Sequence, residues 1–250
     1  VIPNLITYGQ QSLADGIDMT REAFYAWLPG LRKLPRTSGP APAAFLETYE
    51  RALQSAGHVI SIHAAARLSG ICNTARLAAG QLAPGRIHSV DSGQISMGIG
   101  WALLAATEAA QASAHVEAVL HSVGDTLARV RLLAALNTLD YLARSGRVNM
   151  LQAGLGTLLN IKPLIELHEG VVTTIERVRT WSRAVGALAD HLRRFPSIER
   201  LAVMHTNNAA CAAEFLDHVR DVVPSRTRTL VTHATTALGV HIGPGALGIA

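Results

Sequence analysis

A strand, loop and helix follow one another twice in succession in the first half of the chain, and that repeat constrains the fold more than any other feature. His58 to His63 (HVISIH) is a short β-branched run bounded by Gly57, which predicts a buried strand. Ser69 is placed to cap the next helix, running through Gly80. Arg86 to Val90 predicts a second strand, Asp91 to Gln94 a turn, and Ser96 the start of an apolar helix to about Gln111. A further helix from Ala114 to Ala128 would complete a sheet covered on both faces. Strands alternating with helices in this way predict an α/β protein.

The flanking sequence extends the pattern. Val1 to Tyr8 reads as a strand, Thr20 as the cap of a helix through Leu28, the proline-rich stretch Leu34 to Pro42 as extended chain, and Ala43 to Ala56 as a helix. Beyond Arg129 come a strand (Val130 to Leu136), a helix (Asn137 to Ala143) and two runs, Ile161 to Leu167 and Val171 to Val178. These flank His168-Glu169-Gly170, a hairpin signal. Thr180 to Arg194 and Asn207 to Arg220 are helical in period, and Ile198 to Met204 and Arg226 to Thr232 are strand-like. The change of texture near Arg129 predicts two α/β domains, residues 1–129 with a parallel sheet and residues 130–250.

Composition narrows the function classes. The chain is 49% hydrophobic, 16% charged and 4% aromatic, which excludes a disordered chain, a coiled coil or a disulfide scaffold. The most apolar stretch, Ile95 to Ala112, is interrupted by Ser96, Gly98, Gly100, Thr107, Glu108 and Gln111, so a buried helix is expected and no membrane span. A net charge of +4 is scattered, and with few aromatics to stack bases no nucleic-acid partner is expected. Cys72 and Cys211 form no CxxC unit and read as buried thiols of a reducing cytoplasm. The 11 histidines offer no pair at metal-ligand spacing: His58 and His63 are five apart, His115 and His121 six, His233 and His241 eight. No metal site is expected.

Two local patterns suggest chemistry without specifying it. Gly243 to Gly248 is a literal GxGxxG, but the chain ends at Ala250, so no helix follows as a dinucleotide site requires; its backbone could still form an anion-holding nest. Ser96, in Gln94-Ile95-Ser96-Met97-Gly98, approaches the nucleophile elbow of α/β-hydrolases with Gln94 in place of the first glycine, and an N-cap is its other job. Polar residues recur at one kind of place: Thr37 and Ser38 after a proline turn, Ser69 and Ser96 at the ends of strands, His241 ahead of the glycines. Hydroxyls, helical N–H groups and an imidazole at strand ends suit a carboxylate. Capping and turn formation explain the same residues.

Six ordered motifs carry a resemblance. Thr37-Ser38-Gly39-Pro40-Ala41-Pro42 resembles the TSxPSP signature of the DegV family of fatty-acid-binding proteins. In family order, Ser61-Ile62-His63 through Leu68-Ser69-Gly70 resembles ISIxxxLSG, and Val90-Asp91-Ser92 through Ser96-Met97-Gly98-Ile99-Gly100 resembles VDSxxxSMGxG. Thr138-Leu139 through Arg144-Ser145-Gly146-Arg147 is similar to TLxYLxRGGR, Leu158 to Pro163 to LLNIKP, and His241 through Gly248 to HxGPGALG.

The resemblance implies two α/β domains with a long-chain fatty acid held between them, its tail in an apolar tunnel and its carboxylate on hydroxyls. Carried over by motif, the headgroup partners are Thr37, Ser69 and His241, with Ser96 and Asn160 in the surrounding shell. It further implies a non-catalytic bacterial protein of phospholipid metabolism, without a cofactor, that presents its fatty acid to a fatty acid kinase, with Arg179 of Arg177-Val178-Arg179 as a contact. The alternative from a different class is a serine-dependent acyl hydrolase or transferase using Ser96 or Ser69 with His241. Family members open with a strand and a TDSTADL-like loop that this chain lacks, so the first sheet is expected to be short of one strand; Ser145 stands where the family has glycine.

Overall fold

The computed structural model of the protein describes residues 1–112, 115–147 and 161–250. In chain order its elements are β1 (Leu5–Tyr8), β2 (Gln11–Ala14), α1 (Arg21–Trp27), β3 (Arg36–Ser38), α2 (Pro42–Leu53), β4 (Val59–His63), α3 (Ile71–Leu82), β5 (Ile87–Asp91), α4 (Met97–Ala112) and α5 (Val116–Arg129). There follow β6 (Leu132–Ala135), α6 (Asp140–Arg144), β7 (Lys162–His168), β8 (Val171–Val178), α7 (Trp181–Arg193), β9 (Arg200–His205), α8 (Ala209–His218), β10 (Arg228–His233), α9 (Thr236–Ile242) and β11 (Leu247–Ile249). The mixed α/β class is as the periodicity predicts. Its contacts divide it into two compact units, one of residues 1–4, 38–130 and 168–171, the other of residues 5–37, 131–167 and 172–250.

In the first unit, β4 and β5 pair in parallel from Val59↔Ile87 to His63↔Asp91. Strand residues alternate faces, so Val59 and Ile87 share one. There they pack on Phe45 and Tyr49 of α2 and on Ala75, Ala78 and Ala79 of α3. Ser61 and His63 share that face and are satisfied locally: the Tyr49 hydroxyl donates to Ser61 Oγ at 2.8 Å, and Ser61 Oγ lies 2.8 Å from His63 Nε2. The apolar run expected to form a buried helix is α4, which packs on α5 and buries Trp101, Ala102 and Ala105.

The second unit is built on a six-stranded sheet of order β10-β9-β11-β6-β7-β8, with a separate three-stranded sheet of order β2-β1-β3. β9 and β10 are parallel, while β11 is antiparallel to both β9 and β6. Its core sets Leu133, Leu164, Leu201, Val203, Leu247 and Ile249 of the sheet against Leu188 and Leu192 of α7 and Phe215 of α8. The sheet is therefore mixed, and the strand that follows the Gly-Pro-Gly turn lies inside it, between β9 and β6.

A single boundary near Arg129 does not describe these units. Residues 5–37 pack with the C-terminal part of the chain through the apolar residues of α1 and the turn after it. Thr20 Oγ1 caps α1 by accepting the Ala23 amide at 3.2 Å, as expected, and the helix buries Phe24 and Tyr25, with Leu28 just after it, against Tyr141, Ala237 and Val240. Three other elements have little sequence signal. β2, β3 and β11 are three or four residues long, too short for periodicity to show.

The turn after α9 depends on backbone geometry. Gly243 has φ +71°, and a Cβ there would run into the Tyr141 ring. Replacing Gly243 by Ala should therefore destabilise the protein by about 3 kcal/mol through left-handed strain and overpacking. Urea unfolding, with the slope m unchanged and the midpoint lowered, is the measurement that checks this.

Candidate functional site

The candidate site centres on α9. Thr235 caps the helix, its Oγ1 accepting the Leu238 amide at 3.4 Å. The Asp15 carboxylate accepts from the Thr236 amide (3.2 Å), the Thr236 hydroxyl (2.6 Å) and the Ala237 amide (3.3 Å). A carboxylate is well placed at the positive end of a helix. Gly243 ends α9, its amide donating to Gly239 O at 2.8 Å, and the last turn carries His241.

His241 Nε2 lies 3.0 Å from Thr37 Oγ1 on β3, which brings together two of the residues predicted from sequence. His241 Nδ1 is buried and has no hydrogen-bond partner among the described residues. Burial, with a smaller contribution from the Arg147 guanidinium, pushes the imidazole down to about 4, so it is neutral at neutral pH. A neutral imidazole has one N–H and one lone pair. If Nε2 carries the proton it donates to Thr37 Oγ1, and the Thr37 hydroxyl proton is free to bond an oxygen anion. Arg147 supplies positive charge beside the imidazole. It lies within a motif recognised in the sequence, where it is one of the arginines flanking a glycine-containing loop, but only the fold places it near His241.

The GxGxxG backbone does not form an anion nest. The Gly245 amide donates to Thr206 O at 2.6 Å, the Ala246 amide to Thr206 Oγ1 at 2.8 Å, the Gly243 amide to Gly239, and Pro244 has no N–H. The glycines serve close approach instead: a Cβ on Gly245 would lie 2.9 Å from Asn137 Nδ2.

In the first unit, Ser69 and Ser96 stand in the segments that follow β4 and β5, at the carboxyl ends of parallel strands. Those segments are stapled to each other. Asp91 Oδ1 accepts the Ala66 and Gly93 amides, each at 3.0 Å, the Ala65 amide donates to Gln94 O at 2.9 Å, and the Ser92 hydroxyl donates to His63 O at 2.6 Å. The residue that caps α3 is Gly70 rather than Ser69, whose Oγ accepts the Ile71 amide at 3.3 Å. Ser96 sits at φ +51° ahead of α4, and its carbonyl accepts the Ile99 and Gly100 amides at 3.1 and 3.3 Å. Gln94, where the hydrolase elbow has glycine, is buried and fills the space over Gly98.

His241 commits Nε2 to Thr37 and leaves Nδ1 bare. That is not the serine-bonded imidazole that an acyl hydrolase using Ser96 or Ser69 requires. Asn160 lies outside the described residues. Arg179 is exposed between β8 and the Thr180 cap of α7. Among the described residues no group of three or more His, Cys, Asp or Glu side chains could hold a metal ion, and no helix is long and apolar enough to cross a membrane.

Comparison with known proteins gives a family. The model of the DegV family, described as uncharacterised proteins, matches residues 1–250. The chain belongs to the DegV family. A DegV domain-containing protein of Deinococcus radiodurans is 33% identical over 100% of this chain and 89% of its own length. One from Streptomyces coelicolor is 34% identical over 99% and 89%. Among solved structures, a DegV family protein from Thermus thermophilus described as binding fatty acid superposes with TM-score 0.88 at 29% identity, covering 100% of this chain and 90% of that one. DegV of Bacillus subtilis, described as a fatty acid binding protein, gives TM-score 0.89 at 26% identity, covering 99% and 89%.

Burial of neutral imidazoles makes stability depend on pH. His205, at the end of β9, is held at about 4 by burial and by the neighbouring His233, and its Nδ1 accepts the Asn208 amide at 3.2 Å. Both His205 and His241 bind a proton more weakly folded than unfolded, where the ordinary value is 6.5. Their stabilisation is full above about pH 6.5 and is lost as the pH falls toward about 4. The urea midpoint should drop across that window, and His241→Gln should flatten the drop without abolishing it.

Proposed function

We propose that this protein holds a long-chain fatty acid whose carboxylate is bound by the Thr37 hydroxyl, oriented by His241 and balanced by Arg147, with Ser69 as a second hydroxyl and Ser96 and Asn160 in the surrounding shell. The observation that carries this reading is the bond between Thr37 Oγ1 and a neutral, half-bare His241. A neutral imidazole that orients a hydroxyl suits reversible binding of an anion: the hydroxyl gives a hydrogen bond to a charged group, worth about 1.5–3 kcal/mol. The fatty acids bound by DegV relatives supply the ligand class.

The tail supplies most of the affinity. Burying about 14 methylenes at ~0.8 kcal/mol each gives on the order of 11 kcal/mol before the cost of lost freedom. A chain that is 49% hydrophobic yet only 4% aromatic can line an acyl site with aliphatic side chains. In this reading the protein is non-catalytic and presents the acid to a fatty acid kinase in the cytoplasm. The kinase contact is Arg179, which makes no ion pair among the described residues and is flanked by the exposed Arg177 and Arg183.

The test is direct. Native mass spectrometry should find one palmitate or oleate bound, and Thr37→Val should weaken oleate binding roughly 10- to 100-fold, with some fall in the thermal midpoint because the buried His241 ring loses its partner. Ser69→Ala should weaken it less than tenfold. Wild-type protein that takes up neither acid would overturn the reading, and turnover of an acyl ester with covalent labelling of Ser96 or Ser69 by a phosphonate would favour a hydrolase.

A further inference from the structure

Nothing in the sequence motifs points to Asp15 or Tyr25, yet the structure sets both on α9, the helix that carries His241. Asp15, directly after β2, spans the first turn with three hydrogen bonds: to the amide and hydroxyl of Thr236 and to the amide of Ala237. Thr236 is buried, 2% exposed, so its hydroxyl depends on that carboxylate for a partner. Tyr25, fully buried on α1, lies against Gly239 in the middle of the helix: a Cβ there would be 2.5 Å from the phenol oxygen. Its hydroxyl donates to Thr235 O at 3.4 Å.

α9 has seven residues, fewer than two turns, and a helix that short has little stability of its own. Its rotation about its axis is therefore set by what holds its ends and flank. Asp15 grips the first turn, Tyr25 blocks the flank at Gly239, and the Gly243 turn fixes the end. A rotation of one residue, about 100°, would carry His241 away from Thr37. The segment of residues 5–37 thus does two jobs: it supplies Thr37 and it holds the helix that presents His241 to it.

We propose that Asp15 is a positioning residue for the carboxylate site, acting through α9, with Tyr25 as the flanking stop, so that the N-terminal segment clamps His241 against Thr37. This rests on the fatty-acid reading for its purpose, though not for its geometry.

The experiment reads His241 directly, in ligand-free protein, by nitrogen NMR of labelled histidine across pH 3–8 in wild type, Asp15→Ala, Asp15→Asn, Thr236→Val and Gly239→Ala. The wild-type ring should titrate near about 4 and show one tautomer. Asp15→Ala and Gly239→Ala should move the midpoint upward toward the ordinary 6.5 and mix the tautomers, because the ring leaves its buried partner. Asp15→Asn, which keeps one acceptor oxygen, should fall between. Leu188→Ala, a cavity in the core of the six-stranded sheet, should lower the thermal midpoint while leaving the His241 titration where it is, which separates positioning from general destabilisation.

Oleate affinity should fall at least about tenfold in Asp15→Ala, the equivalent of one lost hydrogen bond. A His241 titration and tautomer unchanged in Asp15→Ala, or in Asp15→Asn and Thr236→Val if the alanine variant does not fold, overturns the proposal. Wild-type protein that binds neither oleate nor palmitate overturns the fatty-acid reading alone, since the titration needs no ligand.

Discussion

The hydrogen bond between Thr37 and His241 joins residues 204 apart in sequence, and much of the second unit is arranged so that it can form. Thr37 lies on a three-residue strand and His241 on a seven-residue helix, neither stable alone. What makes both persist is the cluster of Phe24, Tyr25 and Leu28 against Tyr141 and Val240, which welds the N-terminal segment to the C-terminal part of the chain. Burying a Phe or Leu side chain contributes about 1.5–3 kcal/mol, more than the roughly 0.5–1.5 kcal/mol net of a neutral hydrogen bond such as that between Thr37 and His241. The apolar contacts hold the elements, and the polar contacts set their orientation.

Burial gives the site its electrostatic character. An imidazole in water would be partly charged at pH 6.5; here desolvation keeps it neutral, so it orients a hydroxyl rather than attracting an anion by its own charge. The positive charge comes from a different residue, Arg147. Orientation of the Thr37 hydroxyl and positive charge are thus supplied by separate side chains, His241 and Arg147.

Several features of the sequence were legible because they are local. Both strand, loop and helix repeats form, and Thr20 caps its helix, since capping and period-2 or period-3.6 patterning depend on neighbours in sequence. Thr37 and His241 could be singled out from their motifs. Asp91 and Ser92 could not be assigned a task that way, because they act by stapling two strand-end segments together. The glycines of the Gly-Pro-Gly turn looked able to bind an anion. Thr206, far away in sequence, takes the Gly245 and Ala246 amides, and Gly239 takes that of Gly243.

By itself the sequence determined the α/β class, most of the helices and strands, and membership in a family through six ordered motifs. Each of those depends on short-range pattern. Only the tertiary structure decided that residues 5–37 join the C-terminal unit, that β11 inserts antiparallel between β9 and β6, and that Asp15, Tyr25 and Arg147 surround the helix bearing His241. These facts follow from which apolar surfaces find each other. That choice is made by shape and buried area between distant segments, and no spacing along the chain encodes it.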